Sequence, residues 1–263
     1  MTRDVGAEIE PAGGDALVAA LLENALLKRQ LAQATDELDS FTYSVSHDLR
    51  ASLRHISAFV QIVNEDLGPT ADAGIRSHLA TITGAARHMA LMIDGLMALS
   101  RLGRVELNVS RVVVRPLIDA VCAALQPNPI LWHIADDFPE LHVDPVLLRQ
   151  LLHHLVSNAI KFTRPSAGRP APEIEIGWRA LPDGQCELFV KDNGAGFNPK
   201  FGAKLFGVFE RLHSASEFEG IGVGLALSRR IVQRHGGTIA AASPRQHTDG
   251  CEVRFTMPAF KSD

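Results

Sequence analysis

Cysteine is scarce in this chain and does not cluster. The 263 residues hold three cysteines, Cys122, Cys186 and Cys251, with no C-x-x-C pair. That sparse, odd count excludes a disulfide framework and a cysteine zinc site, and suits buried thiols in a reducing cytosol. No apolar run approaches the roughly 20 residues needed to span a bilayer. The first residues, Met1 to Asp15, contain Gly, Pro and acids but no basic segment ahead of an apolar one, so they do not read as a signal peptide. An excess of one charge is also missing. Twenty-six Lys and Arg against 30 Asp and Glu leave a net charge of -4, which is no electrostatic footprint for nucleic acid or an anionic membrane. No internal repeat is visible. A soluble, cytoplasmic protein with no nucleic-acid or membrane partner is expected. The 46% of hydrophobic residues suffice for one large or two modest cores.

What is present begins with periodicity. Residues 1–15 are expected to be a disordered lead. From there a heptad places Leu17, Asn24, Leu31, Leu38 and Val45 at one seam position, and Ala20, Leu27, Ala34 and Phe41 at the other. Such a repeat predicts a coiled coil. Asn24 either fixes dimer register or is a tolerated polar seam residue. Apolar residues continue at Leu49, Leu53, Ile56, Phe59 and Val63, and Asp66 to Thr70 reads as a turn. A second amphipathic stretch runs from Ile75 through Leu79, Ile82, Ala86, Met89 and Ile93 to Leu96. Two antiparallel helices with one apolar stripe each cannot bury both stripes alone. A homodimer forming a four-helix bundle solves this. Residues 16–102 therefore form a coiled coil and helical hairpin.

Arg101 to Glu106 breaks the period and reads as a linker. Beyond it, residues 107–263 change character. Val114 to Leu125 suggests a helix and Ile130 to Ile134 a strand. Asp144-Pro145 is an N-cap with proline at the first helical position, opening a helix through Phe162. Ile174, Ile176 and Trp178 alternate, as do Leu188 with Val190, and Val253, Phe255 and Met257; these are half-buried strands. Gly224 to His235 is a helix closed by Gly236-Gly237. The mixed order predicts an α+β fold: a helical hairpin followed by a two-layer α/β sandwich.

Several residue sets can carry chemistry. On the seam register His47 falls away from the seam, so its ring should face solvent, with Asp48 beside it. A carboxylate can take the imidazole proton and leave the other ring nitrogen free to attack phosphorus. His154, Asn158 and Lys161 share one face of the Leu147–Phe162 helix. The Asn158 amide oxygen is a hard ligand suited to Mg²⁺, and Lys161 can meet a phosphate. A polar stripe facing water is the plain alternative. Asp192, Gly194 and Gly196 form a tight D-x-G-x-G turn whose carboxylate can accept the exocyclic amine of adenine; ordinary turns share this pattern. Gly220, Gly222 and Gly224 precede a helix whose N-terminus can face phosphate oxygens. No strand precedes them, so the dinucleotide-fold reading fails. Between the two glycine motifs, Asn198 to Glu219 reads as a long lid or disordered loop holding Phe206 and Phe209.

Taken in order, these motifs resemble a sensor histidine kinase: a dimerisation and phosphotransfer bundle followed by an ATP-binding domain of the GHKL type. Phe41 to Arg50 resembles the H-box, His154 to Thr163 the N-box, and Asp192 to Phe197 the G1 box. Leu205 to Arg211 resembles the F-box and Gly220 to Leu225 the G2 box. The run Phe209-Glu210-Arg211-Leu212-His213 is similar to kinases attached to bacterial phytochromes.

The resemblance implies ATP and Mg²⁺ as cofactors, His47 as phosphoacceptor and Asp48 as its base. It implies that Asn158 binds Mg²⁺, with His154 a possible second ligand, and that Asp192 binds adenine. It places Lys161, Gly194, Gly196, Arg211, Gly220, Gly222, Gly224 and Leu225 around ATP, and has Phe206 and Phe209 anchor the lid. It implies transfer of the phosphoryl group to an aspartate of a separate response regulator receiver domain.

The chain departs from the family pattern at four places. Ser52 replaces a proline five residues after the histidine, which predicts a straighter, stiffer helix. Ala51 replaces the usual Thr or Asn, which predicts weak phosphatase activity. Ile221 replaces a Thr, removing one hydroxyl contact. Fewer than fifty residues precede His47, so either the chain is a fragment or its input comes from another protein, and a sensory partner acting in trans is expected. The alternatives are a non-catalytic phosphotransfer or scaffold protein with a decayed ATP site, and a GHKL-type ATPase.

Overall fold

Helix α1 (Ala12–Leu67) is an unbroken rod of 56 residues that carries His47 past its midpoint. The computed structural model describes residues 12–68, 72–125, 130–163, 171–182, 184–214, 217–243 and 250–260. The helix reaches Ala12, so residues 12–15, expected in a disordered lead, are helical; residues 1–11 lie outside the described part. Proline is absent from α1 and the Ser52 hydroxyl bonds back to the Asp48 carbonyl at 3.1 Å, so the helical ladder runs on through the H-box.

Helix α2 (Ala73–Arg104) returns antiparallel, capped by the Asp72 carboxylate, which accepts from the Gly74 N–H at 2.7 Å. Leu53, Ala86 and Met97 are buried between the two helices. Most of the apolar stripe is not. Ala20, Leu27, Ala34, Leu38, Phe41 and Val45 are all exposed in the single chain. The side chains of Leu17 and Leu31 lie outside the described part.

The expected linker at 101–106 needs correction, because α2 continues to Arg104. Leu102 is buried in the core of the second domain, and its carbonyl accepts a 2.7 Å hydrogen bond from Arg234. That docking holds the last turn helical.

The second domain is a two-layer sandwich. Its main sheet has five strands: β2 (Leu131–Ile134), β4 (Glu173–Ala180), β5 (Gln185–Asp192), β7 (Cys251–Pro258) and β6 (Ile239–Ala242), in that spatial order. β2 is parallel to β4 and the remaining pairs are antiparallel. A small antiparallel pair, β1 (Ser110–Val112) with β3 (Leu141–Val143), stands apart. The sequence period missed β1, β3 and β6.

Helices α3 (Val114–Ala124), α4 (Pro145–Phe162) and α5 (Gly224–Arg234) accompany the sheet. The inward residues Ile174, Ile176, Leu188, Val190, Phe255 and Met257 are buried against Leu148, Leu151, Leu152 and Ile231. Each such side chain contributes about 1.5–3 kcal/mol by leaving water. Outward positions carry charge: Arg179 pairs with Glu187 at 3.0 Å and Glu252 at 3.3 Å, and Lys191 with Glu175 at 3.3 Å. One face is thus core and the other water.

Helix α4 opens as expected. The Asp144 carboxylate accepts from the Val146 and Leu147 N–H groups at 2.9 and 3.1 Å, with Pro145 at the first position. Between the two glycine motifs the expected loop is partly ordered: Pro199–Phe206 is a 3₁₀ helix, capped by the Asn198 side chain on the Lys200 N–H at 3.0 Å.

Candidate functional site

A cavity of about 460 Å³ opens where α4, the turn after β5, the lid segment and the start of α5 converge. That size suits a small organic ligand. Asp192 and Gly196 line one end, His154, Asn158 and Lys161 the α4 wall, and Gly220, Gly222, Gly224 and Leu225 the opposite rim. Arg211 also lies on the wall. Motifs from His154 to Leu225 thus meet around one space.

Asp192 ends β5 and is buried. Burial pushes its carboxyl up to about 6, partly offset by N–H groups of Gly194 and Cys251 that favour the charged form. The Gly194 N–H donates to Oδ1 at 2.9 Å. A Cβ on Gly194 would sit 2.3 Å from the Phe162 carbonyl oxygen, so glycine lets the turn close onto the end of α4. Gly194 therefore shapes the turn from behind and does not line the cavity.

On α4, His154, Asn158 and Lys161 do share a face, while Leu148, Leu151, Leu152 and Val156 fill the other and Leu155 and Ala159 are buried at the boundary, also lining the cavity. Ile160 is half-buried and packs against the core. His154 is held neutral: burial and the neighbouring His153 push it down to about 4, and its Nε2 has no hydrogen-bond partner among the described residues.

Among those residues no cluster of three or more His, Cys, Asp or Glu could hold a metal alone. The donor set instead fits Mg²⁺ bound through one amide oxygen, with water and phosphate completing the shell. Asn158, on the cavity wall, would supply that oxygen. The His154 imidazole is a poorer match for so hard an ion. Lys161 stands beside the Gly220 turn, its Nζ 3.5 Å from where a Gly220 Cβ would be.

The glycine rim is built for close approach. Gly222 has φ +73°, and a Cβ there would lie 2.6 Å from the Glu210 carbonyl oxygen. Only glycine fits this crossing of lid and rim. Gly224 is the first residue of α5, so that helix starts at the cavity edge.

Phe206 and Phe209 are not on the cavity wall. Phe206 is buried under the lid, whereas the Phe209 ring is exposed. Phe209 holds the lid through its backbone, with φ +64° and its N–H donating to the Gly222 carbonyl at 2.9 Å.

His47 sits on the outer face of α1, with side-chain exposures of 62% for His47 and 80% for Asp48, so both are open to a partner domain. Nδ1 lies 3.2 Å from the Asp48 carboxylate, which leaves Nε2 free. His47 does not line the cavity. Nearest in sequence with a link to it is Arg50, which bonds Asp94 of α2, itself on the cavity wall with Leu91 and Gly95.

Sequence reasoning missed this α2 wall, the rings of Phe162, His213 and Phe218, and Cys251. Cys251 carries a readable signal. The turn residue Gly250 precedes strand β7, whose register sets Cys251 opposite Asp192. Burial and the Asp192 charge push this thiol strongly up, so it is an inert wall group.

Residues 143–261 match the family of histidine kinase-, DNA gyrase B-, and HSP90-like ATPases. The chain is 37% identical over 227 residues to the methanogenesis regulatory histidine kinase FilI of Methanothrix harundinacea, covering 84% of this chain and 25% of that protein. It is 32% identical over 240 residues to cyanobacterial phytochrome B of Nostoc, covering 89% of this chain and 31% of that protein. The chain thus spans about a quarter to a third of the length of these relatives.

Among solved structures, full-length ShkA in complex with AMPPNP superposes with a TM-score of 0.60 at 23% identity, over 85% of this chain and 46% of that one. Acinetobacter baumannii histidine kinase AdeS gives 0.56 at 18% identity, over 82% of this chain and 98% of that one. These two likenesses concern the fold. The family match places the C-terminal domain among the histidine kinase-, DNA gyrase B-, and HSP90-like ATPases, and together with the curated relatives it supports a sensor histidine kinase core.

Proposed function

We propose that the chain is an ATP-dependent protein histidine kinase that phosphorylates His47 and passes the phosphoryl group to an aspartate of a separate response regulator. One observation carries the reading: an exposed imidazole with one nitrogen on Asp48 and the other free, in the same chain as an ATPase-family cavity. In the reaction, Nε2 of His47 attacks the γ-phosphorus. The bond from that phosphorus to the β–γ bridging oxygen breaks, and ADP leaves with the electron pair. Asp48 holds the proton on Nδ1 so that Nε2 presents a lone pair.

Asp192 accepts from the adenine amine, and the glycine rim with the start of α5 faces the phosphates. Lys161 and Arg211 offset their charge. Asn158 would hold Mg²⁺, which neutralises phosphate charge and orients the chain of phosphates. This chemistry is mostly positioning.

His47 is off the cavity wall, so the ATP-binding domain must leave its seat on α2 to deliver phosphorus. The exposed stripe of α1 supports a homodimer through the hairpin. The complex of ShkA with AMPPNP supports a nucleotide in the cavity.

Two other readings make different products. A GHKL-type ATPase releases free phosphate and leaves the protein unlabelled. A scaffold with a decayed site binds no nucleotide; the convergence of Asn158, Asp192 and three glycines on one cavity speaks against it. γ-Labelled ATP settles the choice. The kinase leaves acid-labile, base-stable label on the chain, and release of free phosphate with no labelled protein would overturn it.

A further inference from the structure

Three segments meet on the cavity wall near Asp192: the last residue of α4, the Gly194–Gly196 turn and the lid. The Phe162, His213 and Phe218 rings form a closed trio, with centroids 5.4 Å apart for Phe162 and His213, 4.8 Å for Phe162 and Phe218, and 5.1 Å for His213 and Phe218. Such contacts are favourable beyond simple burial. The Phe162 carbonyl accepts from the Ala195 N–H at 3.0 Å. His213 Nε2 lies 2.9 Å from the Gly196 carbonyl oxygen. A carbonyl only accepts, so Nε2 carries the proton and donates. Arg211 donates to the Phe218 carbonyl, and to that of Ser214 at 3.3 Å, so the two ring-bearing ends of the lid are tied together.

We infer that His213 is a positioning residue, a latch that fastens the lid to the Gly196 turn and so retains nucleotide. The consequence for nucleotide rests on the function proposed above; the latch itself does not. Lid opening must break one directional hydrogen bond and draw the His213 and Phe218 rings off the Phe162 ring together. His213 acts here through its bond to the Gly196 carbonyl. Its effect is on how long the cavity stays closed.

Two measurements on the full chain test this. In nucleotide-free protein, trypsin cleavage after Arg211 reports the open-lid population. His213→Ala should cleave about tenfold faster than wild type, in line with loss of a hydrogen bond and ring contacts. His213→Gln keeps an N–H donor and should cleave only about threefold faster. Release of a fluorescent ADP, followed by stopped flow, should accelerate in the same order. Cleavage of His213→Ala within twofold of wild type overturns the latch, and so does a His213→Gln variant as fast as His213→Ala. A wild-type chain that binds no ADP refutes the nucleotide site, while the cleavage rates still decide the latch.

Discussion

Asp192 gives the site a pH signature. Its folded pKa of about 6 exceeds the ordinary carboxyl value of 3.8, so the fold favours the protonated form. Its contribution to stability is full below 3.8 and is lost as pH rises through about 6. His154, held near 4, acts oppositely: its contribution is present above the ordinary 6.5 and lost as pH falls through about 4. The two oppose each other in the melting temperature, so nucleotide affinity is the cleaner readout. The ionised carboxylate is the stronger acceptor for the adenine amine. ADP affinity should be flat above pH 7 and fall about tenfold per pH unit below 6. Asp192→Asn should weaken binding about tenfold at pH 7.5 and flatten the profile. An unchanged profile in that variant would remove Asp192 from base recognition. Ala51, one helical turn past His47, offers no polar group to hold a water near that ring. Purified protein should therefore dephosphorylate its regulator about tenfold more slowly than the Ala51→Thr variant; equal rates refute the role given to that position.

Helix ends with chemical punctuation were legible in the sequence. Asp144-Pro145 opens α4, and α5 is followed by Gly236 at φ +75°. The three-residue strands β1 and β3 were not, because so few residues carry no period. The end of α2 was misplaced for another reason. Local pattern stops near Arg101, but burial of Leu102 and the Arg234 bond extend the helix. The same seat is where α2 joins the cavity wall. A Cβ on Gly95 would lie 2.8 Å from Val223, so no larger residue fits beneath the lead into α5. Gly95→Leu should lift the ATP-binding domain off α2. Hydrogen exchange over 219–234 and 91–104 should rise together while the sheet stays protected. If this seat holds a resting arrangement, autophosphorylation should speed up about threefold to tenfold, from loss of a few apolar contacts. Protection unchanged in both segments would show that the seat is not where the two domains meet. The α2 wall and the ring trio were invisible in sequence because both depend on how separate segments dock, not on spacing within a motif.

As a whole molecule the chain presents a long apolar stripe on α1 with no cover in the single chain, from Leu21 through Leu38 and Phe41 to Phe59. An exposed surface of this kind marks an interface. Leu38→Glu with Phe41→Glu places charges in the seam and should weaken dimerisation at least a hundredfold. Sedimentation equilibrium measures this, and a double variant as dimeric as wild type would move the interface elsewhere. A homodimer would bring two acceptor histidines and two nucleotide cavities into one assembly, so the domains need only swing about the segment after Arg104 for phosphorus to reach a ring. All of this depends on His47 receiving the phosphoryl group. The most direct measurement incubates wild type and His47→Gln with γ-labelled ATP, alongside ADP binding by each. The account predicts acid-labile label on wild type, none on the variant, and equal ADP affinity in both. Label of equal amount on the variant, or none on a wild type that binds ADP, would contradict it.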